Sequence, residues 1–139
     1  MADKIFMDRR SLELKYQIPM GKIDKFFEAL EQGKVLATKC KICGKTYFPP
    51  QGDCPECRKS EMDWVEVEND GTLLTFTVIN AKPTSFSKYP DYVVGIAKFG
   101  DINVLSWVNV DDYRKLKIGM KVHLKVVKRE DYFTYQIEL

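Results

Sequence analysis

Two C-x-x-C pairs, Cys40/Cys43 and Cys54/Cys57, lie ten residues apart and account for all four cysteines of the chain. Two-residue spacing lets two thiolates converge on one metal from a tight knuckle turn. Two knuckles complete the tetrahedral four-sulfur site that zinc favours. Gly44 follows the first pair and Pro55 lies inside the second, and both suit such turns. Four thiolates leave no coordination position for water or substrate, so the expected zinc is structural. Its binding energy substitutes for a core that about 25 residues cannot supply. Iron in a rubredoxin-like cage and disulfides are the alternatives. A redox C-x-x-C normally occurs once, at a helix N-terminus in a βαβ unit, and no such context is present.

The sequence flanking this ribbon divides into segments of different period. Ile5-Phe6-Met7-Asp8-Arg9-Arg10 suits a helical turn, and Ser11 to Ile18 alternates Leu12, Leu14 and Tyr16 with polar partners, as an extended arm would. Pro19 disfavours helix at Ile18. Such an arm either packs on the body of the protein or docks on a partner. Ile23, Phe26, Phe27 and Leu30 then fall at i, i+3, i+4 and i+7, one helical face, with Gly33 as a stop. Adjacent Phe26 and Phe27 on a short helix need a large apolar cover, supplied by the ribbon or by a partner.

Beyond Trp64 the chain is rich in strand patterns. Leu74, Phe76 and Val78 alternate with threonines; Tyr92 to Phe99 and Asn103 to Val108 flank a turn at Gly100-Asp101. Val122, Leu124 and Val126, then Phe133, Tyr135, Ile137 and Leu139, form two more alternating runs. Asp111 to Leu116 reads as a short helix capped by Asp111. Five strands with a short helix between the third and fourth match the OB-fold. The expected fold is therefore mainly β: an N-terminal arm and amphipathic helix (1–34), a rubredoxin-like zinc ribbon (35–62) and a five-stranded OB-fold barrel (63–139).

Charge narrows the function classes. Net charge is +2, from 22 basic and 20 acidic residues, milder than a dedicated duplex-binding domain usually carries. No run approaches a membrane span, and the N-terminus lacks the apolar core of a signal peptide, so a cytoplasmic location is expected. His123 occupies the polar phase of its strand and is expected in solvent. No acid–base pair, nucleophile pair or Gly-rich phosphate loop is visible, so catalysis by this chain is not expected. The longest irregular stretch, Ala81 to Tyr92, interleaves Lys82 and Lys88 with Phe86 and Tyr89. That mixture can hold an adenine ring and phosphates, stack single-stranded bases, or merely cover a barrel end. Tyr47-Phe48-Pro49-Pro50 either closes over the metal site or forms an apolar lip, with Phe48 as a ligand contact.

Several runs together carry a family resemblance. Lys39-Cys40-Lys41-Ile42-Cys43-Gly44, Tyr47-Phe48-Pro49-Pro50, Cys54-Pro55-Glu56-Cys57 and Trp64 resemble the hallmark of the zinc-ribbon plus OB-fold, acyl-CoA-associated family long classed as a domain of unknown function. Gly71-Thr72, Phe76-Thr77-Val78, Pro90-Asp91-Tyr92 and Ile118-Gly119-Met120-Lys121-Val122 continue it over roughly residues 22 to 128. The resemblance implies a non-catalytic accessory subunit of thiolase-type enzymes. It is similar to the archaeal subunit bridging acetoacetyl-CoA thiolase and hydroxymethylglutaryl-CoA synthase, and it implies a bound CoA thioester. Helix and ribbon would then pack on the partner enzymes. Gln51 stands where the family usually has an arginine, so the phosphate contact would fall to Lys39, Lys45, Lys82 or Lys88. A single-stranded nucleic-acid-binding module is the other reading.

Overall fold

The computed structural model describes residues 4–11 and 14–139. After a 3-10 turn at Gly21–Ile23, helix α1 covers Asp24–Glu31. Its buried stripe is Phe26, Ala29 and Leu30, the i, i+3, i+4 set centred on Phe26. Phe27 is therefore turned about 100° off that stripe and stays 42% exposed, which corrects the single four-residue face read from the sequence. Gly33 (φ 79°) ends the helix as expected: its N–H donates to the Leu30 carbonyl and that of Lys34 to Ala29. Both bonds belong to a Schellman motif, whose left-handed residue glycine adopts without strain.

The ribbon is a three-stranded antiparallel sheet of β1 (Leu36–Cys40), β2 (Thr46–Tyr47) and β3 (Met62–Glu66), in the order β2-β1-β3. The other strands are β4 (Asp70–Ile79), β5 (Tyr92–Phe99), β6 (Ile102–Asn109), β7 (Lys121–Arg129) and β8 (Tyr132–Glu138). They close as a barrel in the order β4-β5-β6-β8-β7, with β6 and β8 parallel through Val108 and Ile137. This is the expected OB-fold.

One strand phase differs from the sequence reading. A β-bulge between Leu73 and Thr75 inserts Leu74 as an extra residue. Leu73 is thereby fully buried and Leu74 is 40% exposed, while Phe76 and Val78 keep the core side. The short helix is also smaller than read, a 3-10 turn at Tyr113–Lys115. Its cap is Asp112, which accepts from the Arg114 N–H, rather than Asp111. Asp111 instead pairs with Lys115 at 2.8 Å.

A single apolar cluster joins Phe26 and Leu30 of α1, Leu36 and Ala37 of β1, and Leu73, Phe99, Val122 and Ile137 of the barrel. At its edge Phe48 meets Phe26 and Tyr135 edge-on, with ring centroids 6.2 and 5.3 Å away. The described residues of the arm take no part. Residues 4–11 form no helical turn; Asp8 and Arg10 pair with each other, and Ile5, Phe6, Leu14, Tyr16 and Ile18 are all exposed. The described arm residues thus leave their apolar side chains uncovered in this structure, and Leu12 lies outside the described residues.

Candidate metal centre and binding surfaces

The two knuckles are built alike. In the first, the Cys40 N–H donates to Lys45 and the Gly44 N–H to Cys40; in the second, Cys54 donates to Lys59 and Arg58 to Cys54. Each knuckle turns back through a left-handed residue just after its second cysteine, Gly44 (φ 76°) and Arg58 (φ 57°). The turns bring all four Sγ atoms within 4.8 Å of one another. Cys40–Cys57, Cys43–Cys54 and Cys54–Cys57 stand 3.4, 3.6 and 3.5 Å apart. A tetrahedron with metal–sulfur bonds of about 2.3 Å has edges of about 3.8 Å, so the donor set fits a four-coordinate metal. The cysteines are free rather than paired as disulfides.

Neighbouring dipoles prepare the site for charge. The Cys54 thiol is pulled down to about 6, first by the Cys57 backbone N–H and then by the Tyr47 hydroxyl, which lies 3.2 Å from its sulfur. Cys57 is pushed up to about 12 by its hydrogen bond with Cys40 and by burial. Without a cation one cluster cannot hold four thiolates, and a divalent ion resolves that conflict. Lys45, paired with Glu56 at 2.8 Å, adds positive charge near Cys43 and Cys54.

The five residues read as ligand contacts occupy two places. Phe48 belongs to the joint with Phe26 and Tyr135, whereas Phe86 and Tyr89 pack on Trp107, with centroids 5.8 and 5.4 Å away. Trp107 itself is sandwiched, with Tyr92 stacked at 4.4 Å and the Arg129 guanidinium 3.8 Å from the ring. Lys82 pairs with Asp91 at 2.7 Å, and Glu130 takes both the Lys88 ammonium and the Tyr89 hydroxyl. Sequence reading missed Trp107, Arg129 and Glu130, which β6 and the β7–β8 turn bring under the loop. A strand tryptophan and a turn glutamate carry no signal of such a pairing.

The two phenylalanines of α1 also separate. Phe26 is buried in the chain's own joint, while Phe27 lines a shallow cleft with Tyr132 and Phe133, which are also exposed. His123 is exposed as expected, and its Nδ1 lies 2.7 Å from an Asp70 carboxylate oxygen. Gln51 is held through its backbone N–H, which donates to the buried Thr38 hydroxyl at 2.8 Å. Among the described residues, no helix is long and apolar enough to cross a membrane.

Two family models match the chain in succession: the ChsH2 rubredoxin-like zinc ribbon domain over residues 27–63 and the ChsH2 C-terminal OB-fold domain over residues 64–127. A DUF35 domain-containing scaffold protein of Methanothermobacter thermautotrophicus is 30% identical over 92 residues, 65% of this chain and 69% of that protein. The chain belongs to the DUF35 family. Another DUF35 scaffold protein, of Methanocaldococcus jannaschii, is 35% identical over 63 residues, 45% of this chain. The match spans under half of that relative's length, also 45%. A probable enoyl-CoA hydratase alpha subunit of Thermomonospora curvata is 27% identical over 114 residues, 81% of this chain and 35% of that protein. The DUF35 fold is similar to a chain of the Ltp2-ChsH2(DUF35) aldolase, with TM-score 0.73 at 21% identity over 89% of this chain and 98% of that one.

Proposed function

We propose that this DUF35 protein is a non-catalytic subunit that docks on a thiolase-type acyl-CoA enzyme, with hydroxymethylglutaryl-CoA synthase as a second partner. In this reading Cys40, Cys43, Cys54 and Cys57 hold a structural zinc, which cross-links the ribbon and leaves no position open for substrate. The observation that carries the reading is the aromatic patch of Phe27, Tyr132 and Phe133, left exposed beside a joint that anchors α1 firmly. Exposed aromatics on a rigid support are the usual anchors of a protein interface. The scaffold and acyl-CoA names carried by its relatives support the partner class. In this reading α1 and the ribbon, whose sheet runs on through β3 to Glu66, face the partner enzymes, and the barrel from Asp70 onward contacts the ligand.

A CoA thioester is assigned to the loop of Lys82, Phe86, Lys88 and Tyr89, with Phe48, held in the joint by Phe26 and Tyr135, as a separate contact. Purified protein should co-elute with the source organism's thiolase, and Phe27→Asp should abolish that complex while zinc content stays unchanged. No co-elution of the native chain with either enzyme would refute the docking reading. Lys82→Glu with Lys88→Glu should weaken acetyl-CoA binding at least about tenfold, because two cations near the phosphates are reversed. Tight, salt-steep binding of a single-stranded oligonucleotide with no CoA binding would transfer the loop to nucleic acid instead.

A further inference from the structure

Strand β3 is an open edge. Among the described residues it pairs with β1 alone, and it lies at the end of the ribbon sheet. Its ladder phase follows from two bonds: Lys41 donates to Glu61, and Val67 donates to Val35. Antiparallel ladders alternate, so Asp63 and Val65 also face β1, while the backbone groups of Met62, Trp64 and Glu66 point outward. Trp64 stands in the middle of this edge and lines two adjoining clefts, one with Lys22, Ser60 and Met62, the other with Lys25, Glu28 and Glu66. The first cleft also takes in Thr38 and the second Leu36, both of β1, so the two lie over the sheet face that carries Trp64, next to the open edge. An unprotected edge beside a tryptophan is a site for strand addition.

We propose that this edge is a docking site for the chain's own N-terminal arm, with residues 14–18 adding antiparallel to β3. Ile18 then sits opposite Met62, Tyr16 opposite Trp64 and Leu14 opposite Glu66. Four observations converge on that register. The arm's root is already at the correct end, because Lys22 donates to Asp53 at 2.8 Å and reaches Ser60 at 3.4 Å. Gly21, at φ 56°, is where the chain can reverse out of the helix and back along β3. Leu14, Tyr16 and Ile18 share one strand phase and are all exposed, Tyr16 by 76% and Ile18 by 81%. Five extended residues span about 17 Å, the reach of the five-residue β3.

Pro19 fits the same phase. It falls with Lys15 and Gln17, whose N–H groups would point away from β3, so its missing donor leaves no ladder bond unmade. On that outer phase Gln17 would stand opposite Asp63, an exposed carboxylate 3.5 Å from the Lys41 ammonium, with Lys15 diagonal to it. The tether selects this arm over a free peptide, since a short link to the edge raises the effective concentration to about the millimolar range. Docking would cover the ribbon edge beside Trp64 and the arm's apolar face in one step.

The test is amide exchange by NMR on the zinc-loaded full chain, compared with the variant carrying Tyr16→Asp and Ile18→Asp. Both substitutions fall on exposed side chains, and thermal melting with zinc analysis would verify that the fold is kept. Exchange at Met62, Trp64 and Glu66 should be at least about tenfold slower in the native chain, as closing an edge requires, and independent of protein concentration. Equal exchange in the two proteins would overturn the proposal. Protection that appears only at concentrations where light scattering finds dimers would also overturn it, assigning the edge to a second copy.

Discussion

Replacing Phe26 and Phe27 in turn by alanine separates the two roles given to adjacent residues. Phe26 is 7% exposed and meets Phe27, Phe48 and Tyr135 at centroid distances of 5.2, 6.2 and 6.3 Å. A buried phenylalanine truncated to alanine costs about 3–5 kcal/mol through lost transfer and residual cavity. That figure already includes the edge-on packing against Phe48 and Tyr135, and better helix propensity returns about 0.5 kcal/mol. Phe26→Ala should therefore destabilise by about 3.5 kcal/mol. Phe27 already leaves 42% of its surface in water, so Phe27→Ala should cost about 1 kcal/mol. With a urea slope of about 2 kcal/mol/M, the midpoints should fall by roughly 1.8 M and 0.5 M. Measurements belong in a fixed excess of zinc, so that metal load does not differ between variants. If Phe27→Ala proved as costly as Phe26→Ala, the assignment of Phe26 to the joint and Phe27 to a free surface would fail.

Other outcomes follow from the ribbon. Tyr47→Phe removes the hydroxyl that helps hold the Cys54 thiol down at about 6, so that thiol should rise. Metal and proton compete for the thiolate, so zinc should be released at a higher pH than from the native chain. A zinc-dye titration against pH reads this, and an unchanged release curve would remove Tyr47 from the site. The knuckle turns offer a paired test: Arg58→Gly should stabilise by about 1 kcal/mol and Gly44→Ala destabilise by about 1 kcal/mol, because a left-handed backbone penalises a Cβ. Thermal melts of both zinc-loaded variants would decide it, and shifts of the same sign would refute the common turn geometry.

What the sequence made legible was whatever repeats at a fixed spacing. The C-x-x-C pairs, the Gly100 turn and the alternation of Val122 and Leu124 each encode one local geometry, and each stands as read. Leu73 and Leu74 were not separable, because a bulge shifts the inward phase by one residue and both candidates are leucine. Phe27 was misplaced because i+4 spacing from Ile23 favours it equally, and only the cover over Phe26, Ala29 and Leu30 breaks the tie. Asp111 and Asp112 are both competent caps, and the backbone reaching Arg114 chose the second. The partners of the lysine-bearing loop, Trp107 of β6 and Glu130 of the β7–β8 turn, lie 15 to 42 residues from the side chains they meet, and Arg129 reaches Trp107 only through barrel closure.

The ring trio of Phe26, Phe48 and Tyr135 draws one member from the helix, one from the cysteine-bearing segment and one from the last barrel strand. Such a three-way mortise fixes the angle between them by interlocked shape rather than by the lengths of the connecting chain. A protein that grips only the helix would consequently aim the barrel as well, as a handle aims a tool. Variation in the connecting loops would leave that aim unchanged; a smaller side chain at any one of the three positions would not.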